Sequence, residues 1–208
     1  ATWTYESPGG GNDVLGRVSK AKGFFIKKGP VISFYESEAW TDKSSLAFSG
    51  DLDISRASLS IKTVLRTADI RDITAPYLVE AKGSGDFTGI VTGSFSDPSI
   101  NGRIRLINAY FSEYNFGRIH ADVAYRKDMA EIRDLSAENQ TSAASVKGLI
   151  RFRDAKELFE LRRPEYNLSA TIRNADLEGF LKLAYKKAFK PLLQGTLNAD
   201  FMISGTET

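Results

Sequence analysis

A chain of 208 residues, 42% hydrophobic and 26% charged, holds enough apolar material for one long β domain or two repeated units and argues against wholesale disorder. Lys and Arg number 28 against 26 Asp and Glu, with one clustered basic stretch, which argues against a nucleic-acid surface. Cysteine is absent, which excludes thiolate zinc sites, disulfides and cysteine nucleophiles, and no apolar run is long enough to span a bilayer. No signal peptide opens the chain, and its abrupt start at Ala1-Thr2-Trp3 and its stop at Thr208 within a strand-turn pattern read as those of a cut-out piece, any targeting segment being upstream.

In chain order, residues 1–15, with Pro8-Gly9-Gly10-Gly11-Asn12, read as a mobile lead-in. Lys28-Gly29-Pro30 is a turn, and period-two alternation follows at Leu46, Phe48, Gly50, Leu52 and Ile54, then at Ala57, Leu59 and Ile61. Asp69–Thr74 has the makings of a single helical turn. After the turn at Ser96-Asp97-Pro98, Ile100, Gly102, Ile104 and Leu106 alternate with Asn101, Arg103 and Arg105. In Gly117–Arg126, Ile119, Ala121, Val123 and Tyr125 oppose Arg118, His120, Asp122 and Arg126. Lys127-Asp128 and Glu138-Asn139-Gln140 are turns. The alternation recurs at Val146–Phe152, at Tyr166–Ile172 and at Leu197–Ile203. One apolar and one wet face per strand predicts antiparallel sheet.

A helix is predicted over Ala175–Lys190. Leu177, Phe180, Leu181, Ala184 and Ala188 form its apolar face, Asn174 its N-cap, Lys182, Lys186, Lys187 and Lys190 its wet side, and Pro191 its stop. Its lysines would meet water while its greasy side covers a sheet end; lying on an anionic membrane surface is the competing reading. Asp154–Leu161 is a weaker helical candidate.

An internal repeat underlies this order. Thr63–Ile70 aligns with Ala170–Leu177, sharing Arg66/Arg173, Ala68/Ala175 and Asp69/Asp176, and Gly83 and Gly93 correspond to Gly195 and Gly205. Strand, short helix and Gly-to-Gly strand thus occur twice, which divides one continuous β domain into units 16–95 and 96–208, the second carrying helix 175–190.

Catalytic chemistry is thin. His120 is the sole histidine and sits on a polar strand face, where a surface residue without a role outweighs a ligand or base. Gly83–Gly89 lacks the Gly-Lys-Ser/Thr ending of a phosphate loop, and its glycines share parity with Phe87 and Val91, the pattern of close packing on a strand. Asp51, Asp53, Asp69 and Asp72 read as solvated or capping groups, and no serine stands in a nucleophile elbow. The chain is read as no enzyme, with no metal and no cofactor.

Gly83–Phe116 resembles the repeated phrase of the TamB family (translocation and assembly module, AsmA-like superfamily). A Gly-flanked strand leads to a turn with Pro98, then Asn101-Gly102 and a strand ending in aromatic residues. Asp122-Val123-Ala124-Tyr125 with Ile132-Arg133-Asp134-Leu135, and Gly195-Thr196-Leu197 with Ser204-Gly205-Thr206, are similar in style; Val18–Gly50 resembles the unit less closely. The long, lysine-bearing helix departs from the family's pattern.

The resemblance implies a long antiparallel sheet, curled like a taco around an apolar inner groove, with one amphipathic helix near the C-terminal end. It implies a periplasmic segment of an inner-membrane-anchored envelope protein of a diderm bacterium, the anchor lying outside this piece. Its implied work is phospholipid transport between the inner and outer membranes and support of outer-membrane protein assembly beside a TamA/BamA-like barrel partner. Acyl chains would run along Ile104, Leu106, Ile119, Val123, Tyr125, Val146, Ile150, Phe152, Leu168, Ile172, Leu197, Phe201 and Ile203. Two other readings share the same strands. One is a non-lipid scaffold that binds outer-membrane clients through exposed sheet edges. The other is a sealed β-sandwich, which alternation alone favours, because such sheets normally bury one face.

Overall fold

The computed structural model describes residues 1–6, 18–74, 80–112, 114–153, 164–185 and 194–206, excepting the side chains of 183–185. The candidate helix at Asp154–Leu161, the side chain of Ala184, and the distal part of the predicted C-terminal helix with Ala188 lie outside the described residues. Twelve strands and two helices follow one another. The first half comprises β1 (Thr2–Glu6), β2 (Lys20–Lys28), β3 (Val31–Trp40), β4 (Ser44–Asp53), β5 (Ser58–Thr67), α1 (Arg71–Thr74) and β6 (Ala81–Ser94). The second comprises β7 (Pro98–Phe111), β8 (Tyr114–Arg126), β9 (Met129–Glu138), β10 (Ala143–Phe152), β11 (Pro164–Asp176), α2 (Leu177–Tyr185) and β12 (Thr196–Thr206).

The strands pair in sequence order, each antiparallel to its neighbours, as a single 12-stranded meander that is open and at most weakly curled. Eleven interstrand spacings make the sheet about 53 Å wide. Residues 2–6 pair with β2 from Thr2↔Phe24 to Glu6↔Lys20, so the first part of the expected lead-in is an edge strand. β6 and β7 pair from Ala81↔Phe111 to Gly93↔Pro98, so the sheet runs unbroken across the repeat boundary.

Turn chemistry and connection length divide the two rims. Gly29 at φ 58° and Ala57 at φ 47° lie in tight turns on one rim, as does the two-residue turn between β8 and β9. Both helices lie on the other, α1 after β5 and α2 after β11, and the predicted repeat of strand, helix and strand is visible in these two places. The carboxylate of Asp72 accepts the hydroxyl protons of Thr41 and Ser44, and Ile70 N–H donates to Gly83 O at 2.8 Å, which fixes α1 against β4 and β6.

The C-terminal helix departs from its expected start. Ala175 and Asp176 still belong to β11, and Asp176, not Asn174, is the cap: its Oδ2 accepts from Gly179 N–H at 2.8 Å. Asn174 adopts φ 53° inside a bulge, a conformation that a short amide side chain tolerates. Leu177, Phe180 and Leu181 are half-buried, and a Cβ placed on Gly179 would meet the Tyr114 ring at 3.3 Å, so the helix lies against β8.

Three bulges set the shape of the helix rim. In β3, β7 and β11, two residues oppose one on the next strand, between Phe34 and Ser37, Leu106 and Ala109, and Ile172 and Ala175. Each extra residue holds a left-handed backbone: Glu36, Asn108 and Asn174. The residues that follow are nearly sealed, Ser37 and Ala109 at 0% exposure and Ala175 at 2%.

Seven of the eleven buried apolar residues among those described are alanines. Burial therefore comes from close backbone approach at the rim, not from a second layer of large side chains. The accessible surface of 13650 Å² exceeds the about 9,600 Å² of a compact monomer of this mass. A sealed sandwich is not what the strand order forms.

Gly148 at φ 138° opposes Leu168, and a Cβ there would stand 2.1 Å from Asn167 O. Gly148→Ala is expected to lower unfolding stability by about 1–3 kcal/mol in urea titration. Gly205→Ala, where nothing lies within 4 Å, is expected to cost clearly less.

Candidate functional site: an apolar sheet face

The register carries one residue row after another across the sheet without changing face. One row reads Phe25, Phe34, Gly50, Ile61, Val91, Ile100, Tyr125, Ala130, Ile150 and Tyr166. The next runs Phe48, Thr63, Gly89, Gly102, Val123, Ile132, Gly148, Leu168 and Ile203. A third passes through Leu46, Leu65, Phe87, Ile104, Ala121, Leu135, Val146, Ala170 and Phe201. Near the helix rim Leu106, Ile119, Ala137, Ala144 and Ile172 close the series. All thirteen residues expected to line a groove fall on this face, with Phe152 at the turn rim and Leu197 at the helix rim. Most are half-buried; Ile119, Phe152 and Ile172 are buried, at 7–8% exposure.

This face spans roughly 50 Å by 25 Å, or about 1,300 Å². A soluble monomer rarely exposes an apolar patch beyond a few hundred Å². Something apolar belongs against it.

The face is not uniform. The Phe87 ring lies over the glycines of two adjacent strands: a Cβ on Gly89 would meet its Cζ at 2.4 Å, and one on Gly102 its Cε2 at 2.5 Å. These glycines make room for an aromatic ring on the sheet, the close packing that their parity with Phe87 predicts. Trp3 adds a second large ring at the N-terminal edge. It shares a row with Gly23, Ser37 and Phe48, and reaches across two strands to bring its ring centroid 6.3 Å from that of Phe48. Its indole Nε1 is buried without a hydrogen-bond partner.

Between these two rings lies an open depression of about 460 Å³, lined by Trp3, Phe34, Leu46, Phe48, Leu52, Ile61 and Thr63. The alternation at Leu46–Leu52 and at Ile61 is legible in the sequence. Trp3 is not: the period-two pattern Thr2-Trp3-Thr4-Tyr5 is only four residues long and reads as part of the lead-in, and the expected groove residues all lie in the C-terminal half.

The opposite face is charged and internally paired. Arg105 Nη2 stands 3.0 Å from Asp86 Oδ2, Lys147 Nζ 3.3 Å from Asp134 Oδ1, and Arg153 Nη2 3.2 Å from Glu165 Oε2. His120 lies in this polar ladder between Arg105 and Ser136. The described residues contain no cluster of three His, Cys, Asp or Glu able to hold a metal ion. Arg173 donates to both oxygens of Asp200 at 2.9 Å, and Thr171 adds its hydroxyl at 2.7 Å. The guanidinium first, then that hydroxyl, hold the Asp200 carboxyl below the usual carboxylate range. Being exposed, the pair adds little to stability.

Comparison of this chain with protein-family models, with curated proteins and with solved structures finds no match.

A lowered carboxyl contributes fully above the ordinary carboxylate range and loses its contribution as pH falls through its own folded value. NMR titration is expected to place Asp200 below its usual pKa and to show it rising towards that value in Arg173→Leu. Phe87→Ala is expected to cost about 1–3 kcal/mol, less than truncation of a fully buried Phe, because the ring is half-exposed. It should also raise binding of an apolar dye by baring Gly89 and Gly102.

Proposed function

We propose that this chain is a segment of a TamB/AsmA-like periplasmic bridge, whose apolar face guides phospholipid acyl chains between the inner and outer membranes of a diderm envelope. One observation carries the reading: a single-layer sheet keeps one face almost wholly apolar across twelve strands while its other face is charged and paired. A hydrocarbon chain crossing water loses about 0.8 kcal/mol for each methylene left wet, so a carrier needs a continuous lining. Weak further curling of this sheet in the intact protein would bring the lining into a taco-like groove. The TamB-like phrase at Gly83–Phe116 forms β6 and β7 and supplies the centre of that lining. Support of outer-membrane protein assembly beside a TamA/BamA-like barrel, and tethering to the inner membrane, belong to the same reading.

A scaffold reading draws on a separate observation. The edge strand β12, Thr196–Thr206, carries no Lys, Arg or Pro, and its one charge, Asp200, is tied to Arg173. Exposed edges normally carry such guards, so β12 is suited to pairing with an incoming client strand. Crosslinking from β12 to a client strand without lipid present would favour it.

Val123 sits mid-row on the apolar face and is half-buried. Val123→Asp is expected to leave the circular-dichroism spectrum largely intact while removing co-purified phospholipid in native mass spectrometry. Global unfolding by this substitution would instead mark a dry, sealed interior and sink the transport reading.

A further inference from the structure

The face that is apolar throughout the ladder has one exception. Outside the bulges, Lys27 is the one charged residue whose position in the described strands falls on it. β2 alternates Ala21, Gly23, Phe25 and Lys27 on this face, and Phe25 pairs with Phe34 while Lys27 pairs with Ile32. Ile32 in turn pairs with Leu52, a wall of the depression under Trp3. Lys27 thus stands at the turn rim, one strand beyond Ile32 and diagonal to Phe34. It is exposed and forms no ion pair with any described residue. A charge on such a face lowers the fit for purely apolar cover and matches an amphiphile with an anionic head.

We propose that the depression seats one acyl chain of a phospholipid, roofed by Trp3, with the lipid phosphate against the Lys27 amine at its mouth. This rests on the transport reading and locates within it a specific seat. Seven lining residues without a charge suit a hydrocarbon chain, and a volume of about 460 Å³ is that of a seat for one small ligand or chain. An ammonium held at the rim, with water on its far side, takes a phosphate as a charge-assisted hydrogen-bond partner. The mouth therefore has an orientation: head at the turn rim, tail running under Trp3 towards Leu46.

The chain's two tryptophans make the test specific. Trp3 is on the apolar face, whereas Trp40 is on the polar face, with Lys22 Nζ 5.4 Å from its ring centroid. The probe is phosphatidylglycerol with a dibrominated acyl chain, presented in vesicles, with brominated diacylglycerol as the head-free control. In Trp40→Phe, the remaining Trp3 emission is expected to be quenched by the phospholipid; in Trp3→Phe, the Trp40 emission is not. Lys27→Glu in the Trp40→Phe background is expected to weaken quenching by the phospholipid about tenfold and to leave that by diacylglycerol unchanged. Equal quenching of both tryptophans, or a Lys27→Glu profile identical to that of Lys27, would overturn the seat while co-elution of lipid with the intact chain keeps the transport reading. Dimerisation with Trp3 unquenched would assign the face to a second copy and overturn the seat. Absence of any co-eluting lipid overturns both.

Discussion

Everything in this molecule depends on keeping one parity of residue on one face through twelve successive pairings. A strand's side chains alternate strictly, so any one-residue slip would send an entire apolar row to the charged side. The bulges in β3, β7 and β11 are where that danger is greatest, and each contains the same correction. A single left-handed residue, Glu36, Asn108 or Asn174, absorbs the extra step, and the next residue returns to the apolar face. Ser37, Ala109 and Ala175 are small because the backbone there closes over them. The partner strands yield at the same places: a Cβ on Gly23 would stand 2.2 Å from Ser37 Oγ, and Gly83, at φ 130°, faces Asn108 O. Bulge and small residue form one device repeated every fourth strand along one rim, joined by a facing glycine at β3 and β7.

A sheet of this kind cannot stabilise itself as a sandwich does. Its large apolar side chains touch neighbours within the layer and little else, while burial among the described residues falls mainly on alanines, with Ser37, Ser44, Thr67 and only four larger apolar side chains, Ile70, Ile119, Phe152 and Ile172. Two devices reduce the exposed area without adding a second layer. Phe87 lies over Gly89 and Gly102, covering backbone that the glycines leave bare, and Trp3 packs its ring against Phe48. The opposite face meets water with cross-strand ion pairs, which confer solubility and register more than free energy. The asymmetry between the faces is thus chemical as well as geometric, and only the apolar one is left without a partner.

Much of this was legible in the sequence because alternation is a local signal. The faces assigned to Ile104, Val123, Ile150 and Phe201 follow from period two alone, and the turn residues Gly29 and Asp128 mark real strand ends. Other features lie in pairing between strands, which no local pattern encodes. Thr2–Glu6 becomes a strand only because β2 offers it an edge. Asn174 has the chemistry of a cap, but the bulge claims it and moves the cap two residues on, to Asp176. The glycines of β6 do sit on the apolar face, as their parity required; that Phe87 occupies the space above them needs the neighbouring strand to be known. Openness itself is the least legible property, since a sealed sandwich and a single layer alternate alike.

The two rims give this face a direction. Bulges, both helices and most of the buried small residues gather at the ends where odd-numbered strands finish, whereas the described turns at the other end are short and exposed. The helix rim is therefore the closed side: α1 is pinned by Thr41, Ser44 and Asp72, and α2 rests on Tyr114. Burial by that contact also pushes the Tyr114 phenol up, as expected of a ring withdrawn from water. A long amphiphile lying along the strands, from rim to rim, can keep its polar end only at the side that stays wet. The wet side is the turn rim, and the lone charge on the apolar face, Lys27, stands there. Geometry at one end and electrostatics at the other select the same orientation, although neither was built from the other's residues.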